Sequence, residues 1–254
     1  MRIGVCTSLD KAGIVADAGG DYVELMVVGD LMPESSAADW ESKRVAIRAS
    51  PVPVETFNIF LPGDIKIVGQ SVDSERTSKY VATAFVRAAQ VGASVIVLGS
   101  GGARRVPDDF SRDTARAQIL RFLDLCAAAS DVTGVVLAIE PLNPSECNII
   151  NSVAEGAGYV TACGKPGVRL LADSYHMEKD SEPIEEVAAH GAVLAHAHTA
   201  DTARRAPGTG AYDHVAFFAM LRAGGYDGRV SIECRWDDFD AQVAPAIAYL
   251  RRFA

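Results

Sequence analysis

The sequence predicts an α/β fold, a single (β/α)8 barrel of the TIM type spanning residues 1–254. Short apolar runs alternate with segments of helical period from one end of the chain to the other. The runs number about eight, the strand count of a closed barrel. Four of them, all in the second half, end in a carboxylate or an imidazole: Glu140, Asp173, His198 and Glu233. Strict strand–helix alternation implies parallel pairing through right-handed crossovers, and a closed barrel brings the C-terminal ends of distant strands to one mouth. An open doubly wound sheet is the alternative architecture.

In chain order, the strand runs are Ile3 to Cys6, Tyr22 to Met26, Val54 to Phe60, Val95 to Leu98, Gly134 to Ile139, Val168 to Ala172, Val193 to Ala197 and Val230 to Ile232. Helical period marks the intervening segments: Val81, Phe85 and Ala88 in one, Ile119, Leu123 and Cys126 in another, and Val243, Ile247 and Leu250 in the last. Asn151-Ser152 reads as a helix cap and Pro183 as a helix start, while Gly92, Gly164 and Gly224-Gly225 read as helix stops. No repeat, low-complexity linker or composition break divides the chain.

Composition narrows the class of function. Hydrophobic residues make up 49% of the chain, enough for a large core. No apolar run approaches the ~20 residues of a membrane-spanning helix. The first residues, Arg2-Ile3-Gly4-Val5-Cys6, read as a strand and not as a secretory signal. Five cysteines with no C-x-x-C pair indicate neither a disulfide framework nor a zinc knuckle, so a reducing cytoplasm is the expected location. A net charge of −9 argues against nucleic acid as a partner. The expected partner is a small molecule, and the composition leaves a homo-oligomer open.

A buried strand that ends in a charge needs a compensating partner, because an unpaired carboxylate is costly in a low-dielectric site. Three carboxylates and one imidazole on four successive strands form a ligand set for a hard or borderline divalent cation, Mn²⁺ above all, with Mg²⁺ or Co²⁺ as alternatives. Local spacings extend the set. Glu146 follows Glu140 by six residues, His176 follows Asp173 in a D-x-x-H arrangement, and Arg204 follows His198 by six.

With these motifs the sequence resembles the xylose-isomerase-like barrel superfamily, in particular its sugar phosphate isomerase/epimerase branch and the ketose 3-epimerases. The resemblance is carried by residues 140 to 233. It implies that Glu140, Asp173, His198 and Glu233 bind metal, that Glu146, His176 and Arg204 contact substrate, and that Glu140 and Glu233 exchange protons with it.

Other residues admit blander readings. Gly99-Ser100-Gly101-Gly102-Ala103-Arg104 follows a strand, but Arg104 occupies the third glycine position of a dinucleotide fingerprint, so a tight turn is the reading. Arg104 and Arg105 could grip a substrate phosphate or carboxylate, or form salt bridges to Asp108, Asp109 or Glu146. His196 shares the strand face of His198 one layer deeper, as a hydrogen-bonding neighbour more than a ligand. Glu24 could reach the mouth or pair with an arginine. His190 and His214 read as solvated, and Cys147 and Cys234 as packing residues.

The expected activity is that of a metal-dependent sugar isomerase or epimerase, abstracting a proton next to a carbonyl through an enediolate. A lyase on the same barrel shares that first step, as an inosose-type dehydratase or by eliminating an aglycone from a 3-keto-glycoside. A non-catalytic sugar-binding barrel is the third alternative.

Overall fold

The computed structural model describes residues 1–254. Its strands are β1 (Arg2–Cys6), β2 (Tyr22–Met26), β3 (Val54–Asn58), β4 (Val95–Leu98), β5 (Val136–Ile139), β6 (Val168–Asp173), β7 (Leu194–Thr199) and β8 (Arg229–Ile232). Each pairs in parallel with the next, and β8 returns to β1 with Ile3 opposite Val230 and Val5 opposite Ile232. That last ladder closes the barrel and removes the open sheet from consideration. With no edge strand left, every backbone group of the sheet has a neighbour on both sides.

Period-two alternation splits each strand between two environments. Outward residues and the surrounding helices together form one apolar cluster of 62 buried residues. Val95, Val97, Ala138 and Leu171 form a separate cluster on the strand face that also carries Glu140 and Asp173, within the barrel. The rest of the lumen is polar, with Tyr22, Glu24, Thr56, His196, His198 and Ser231 all buried. Gly4 admits the Tyr22 ring, since a β-carbon there would collide with it.

The helices begin and end where their side chains dictate. Asp73 caps Ser74–Gln90 by accepting from the Arg76 amide at 3.0 Å, and that helix buries Val81, Phe85 and Ala88 as its period predicts. Ser152 caps Val153–Cys163 by accepting from the Glu155 amide at 3.0 Å, while the Glu155 carboxylate accepts the Ile150 and Asn151 amides. Three strands depart from the sequence reading by two residues at one end. Gly134 stops the helix Arg112–Thr133 in a left-handed conformation, φ 74°, instead of opening β5. Ile59, φ 45°, ends β3 before Phe60. Val193 lies in a 3-10 turn, and β7 runs on to Thr199, so His198 sits inside the strand and not beyond it.

Candidate active site

Closure of the barrel brings Glu140 (after β5), Asp173 (end of β6), His198 (in β7) and Glu233 (after β8) together. One donor atom from each lies within 4.8 Å of all the others. His198 Nδ1 is 3.2 Å from Glu140 Oε1 and 3.6 Å from Glu233 Oε2. Asp173 is positioned by its own backbone: its Oδ1 accepts the Tyr175 amide at 2.8 Å as the cap of Ser174–Lys179. Its Oδ2 is buried with no hydrogen-bond partner. Just after β4, Gly99 leaves room for the Glu140 carboxylate, which a β-carbon would strike.

Burial and mutual charge shift the titratable groups of this cluster. Burial, reinforced by Glu140 and Glu233 and opposed by His176, pushes the Asp173 carboxyl up to about 6. Burial would raise Glu233 too, but His198 and Arg204 overcome it and pull that carboxyl down to about 2. Burial works against a charged His198, yet Glu24, Cys6 and Glu233 hold its pKa well above the ordinary range. Three carboxylates crowded into a buried mouth, one with an orphaned oxygen, fit a divalent cation with oxygen-rich coordination. Glu140, Asp173, His198 and Glu233 are the residues that could hold it.

Around this cluster stand the three residues expected to face substrate. His176 Nδ1 accepts from the Asn143 amide at 3.2 Å, with the Asn143 side-chain nitrogen 2.8 Å away. The partnerless Nε2 is thereby turned toward Asp173 Oδ2 at 3.5 Å and Glu140 Oε1 at 4.0 Å. Glu146 accepts from Asn143 Nδ2 at 2.9 Å. Arg204 donates to Glu233 Oε2 at 2.6 Å, lies 3.7 Å from Glu146, and stacks its guanidinium 4.7 Å from the Tyr175 ring centroid. Its own backbone is left-handed, φ 61°, in a loop tied by Asp201, which accepts the Thr202, Gly208 and Tyr212 amides.

The arginine pair has other partners, and for Arg104 this corrects the substrate-anion reading. Arg104 is fully buried and donates to the carbonyls of Leu98 and Glu140 at 2.7 and 2.6 Å, bracing the β4 and β5 ends from within. Arg105 donates to the Glu146 carbonyl at 2.9 Å. Neither bridges Asp108, Asp109 or the Glu146 carboxylate. His214 is a second correction: it is buried, edge-to-face with Tyr212 and Tyr249, and not solvated. Cys147 is buried packing, as expected.

Four contributors escaped the sequence reading. Asn58 ends β3 with a polar side chain, 3.4 Å from Glu233 Oε1, the same strand-end signal that marks the other four. Asn143 and Asp201 lie in loops and Tyr175 in the short helix Ser174–Lys179, where no periodicity reveals which way a side chain turns. Glu24 does not reach the mouth or pair with an arginine; it sits beneath His198, hydrogen-bonded to both lumen histidines.

Known proteins share this architecture. The chain is 33% identical over 135 residues to the 3-dehydro-D-guloside 4-epimerase of Escherichia coli (strain K12), covering 52% of this chain and 50% of that protein. The match thus spans about half the length of that relative. It is 28% identical over 250 residues to a putative hydroxypyruvate isomerase of Streptomyces coelicolor, 92% of this chain and 88% of that one. The crystal structure of a 3-keto-D-glucoside 4-epimerase from E. coli, in its apo form, superposes with a TM-score of 0.83 at 26% identity over 99% of both chains. Residues 13–253 match the model of the xylose isomerase-like TIM barrel, and this chain belongs to that family.

Proposed function

We propose that this protein is a divalent-metal-dependent sugar epimerase or isomerase that moves a proton at a carbon next to a carbonyl. The observation that carries the reading is the convergence of Glu140 and Glu233, from β5 and β8, on the same nitrogen of His198. Two carboxylates from separate strands give a substrate lying between them a base on one side and an acid on the other. When bound, the metal, Mn²⁺ being the ion best matched to the donor set, polarises the carbonyl and stabilises negative charge on its oxygen.

The remaining steps belong to the chain. Glu140 or Glu233 takes the proton from the carbon beside the carbonyl, and the other returns one from the opposite face. His176 Nε2, held donor-outward by Asn143, hydrogen-bonds a substrate oxygen. Arg204 shifts from Glu233 to a substrate oxygen, and Glu146 accepts from a hydroxyl. The relatives' names agree with this chemistry, because in a 3-keto sugar carbon 4 adjoins the carbonyl. Arg104 and Arg105 are both committed to backbone carbonyls, which favours an unphosphorylated keto sugar or keto-glycoside.

The test is deuterium exchange in D₂O with Mn²⁺ across ketoses, aldoses, ketose phosphates and 3-keto-glycosides. Exchange beside a carbonyl is expected with at least one unphosphorylated substrate. Glu233→Gln should lose it by about 10²-fold or more, since an amide cannot take up a proton at neutral pH. No exchange with any substrate contradicts the reading, and release of water or an aglycone in place of exchange assigns the site to elimination instead.

A further inference from the structure

Glu24 is buried below the metal cluster, carries a full carboxylate into the lumen and has no part in the proton transfer described above. Its surroundings are unusually complete. Oε1 meets His198 Nε2 at 3.0 Å. Oε2 accepts from Thr56 Oγ1 at 2.8 Å and Ser231 Oγ at 2.7 Å, and meets His196 Nε2 at 2.7 Å. The Ser231 hydroxyl is itself held by Tyr22, whose phenol oxygen is 2.9 Å away. Thr56 and Ser231 offer protons to this carboxylate, and both imidazoles turn the same kind of nitrogen to it.

We propose that Glu24 is a positioning residue for the metal centre: it grips His198 by Nε2 so that Nδ1 is the nitrogen presented to the cation. The inference rests on the metal reading above and adds which atom ligates and what orients it. An imidazole can bind metal through either nitrogen, and the bond made by the other one decides which is free. A rival placement exists, because Cys6, Glu24 and His198 also bring donor atoms within 4.8 Å of one another, and Glu24 meets His198 at Nε2.

The geometry favours Nδ1. A cation beside Nε2 would have to replace the existing contact to Glu24 Oε1 and would find Glu24's other oxygen already ringed by three partners. Nδ1 instead faces Glu140 and Glu233, in the cluster that includes the orphaned oxygen of Asp173. The His196 ring packs edge-to-face against His198, with the ring centroids 5.0 Å apart. A carboxylate on the far side of a ligating imidazole fixes its tautomer and makes it a stronger donor.

Two measurements test this on the full chain. In wild-type protein with labelled histidine nitrogens, loaded with a spin-active isotope of Cd²⁺, NMR should show metal–nitrogen coupling to His198 Nδ1 and a proton on Nε2. Mn²⁺ titration of Glu24→Gln should show affinity weakened about 10–100-fold, the usual cost of losing such a partner. Coupling to Nε2, with the cadmium shift of a thiolate ligand from Cys6, overturns the proposal in favour of the rival placement. So does a folded Glu24→Gln whose Mn²⁺ affinity stays within about threefold of wild type, well short of that cost. If Glu24→Gln does not fold, the wild-type coupling pattern decides alone. Wild-type protein that binds neither Mn²⁺ nor Cd²⁺ overturns the metal reading itself, a failure distinct from one in which metal binds and only Glu24 proves idle.

Discussion

Arg104 shows how far a single side chain can depart from what its neighbours imply. A guanidinium beside a glycine-rich turn at the barrel's upper face has the chemistry of an oxyanion grip, yet here it is folded inward onto two carbonyls. One of those carbonyls belongs to Glu140, so Arg104 fixes the backbone from which a site carboxylate projects. Arg104→Met keeps much of the volume but leaves the Glu140 carbonyl without that donor. It should therefore cost about 1–3 kcal/mol in a denaturant titration, the range for a buried acceptor left unmet. A variant of unchanged stability with a steeply raised KM would return Arg104 to the substrate. Asp173 makes a complementary point. One oxygen caps a helix and the other is left for the site, so a single carboxylate both ends a strand and aims a ligand.

At the scale of the element, the loop after β7 decides where Arg204 stands. Ala203 and Arg204 both adopt positive φ, a conformation that costs energy for residues with a β-carbon and persists only when the surroundings enforce it. The enforcement comes from Asp201, whose carboxylate collects three loop amides and whose backbone exchanges hydrogen bonds with Arg205. Gly210 is required beside it, since a β-carbon would meet the carboxylate. Asp201→Ala should release the loop and displace Arg204. A displacement of about 1 Å can cost on the order of 10²-fold in turnover efficiency. The metal content should be unchanged, because no ligand lies in that loop. Loss of metal together with activity would show that the loop supports the cluster and not Arg204 alone.

At the scale of the whole molecule, the eight strands were legible because each is a short apolar run bounded by turn chemistry, and parallel strands buried on both faces leave no other pattern. The four strand-end residues were legible for the reason that makes them a site, charge where burial forbids it. What was not legible depends on direction. Sequence cannot tell whether Arg104 turns inward, whether His214 is enclosed by two tyrosines, or that Glu24 lies under His198 and not at the rim. Those facts follow from barrel closure and strand register, which set neighbours far apart in the chain.

The assembled site also fixes a pH dependence. Asp173, raised to about 6 by burial and its acidic neighbours, and His198, raised well above its ordinary value against the effect of burial by Glu24 and Glu233, must both shed protons to ligate. Protons therefore compete with metal, and Mn²⁺ affinity should weaken as the pH is lowered from the alkaline side through about 6. Equal affinity on both sides of that value would remove these two groups from the binding equilibrium.

The most direct test of the central claim is the metal content of the protein purified without chelator. Elemental analysis should find one divalent ion per chain in the wild type and none in the Asp173→Ala/His198→Ala double variant. A full complement of metal surviving in that double variant, or its absence from a wild type supplied with Mn²⁺, would contradict the account.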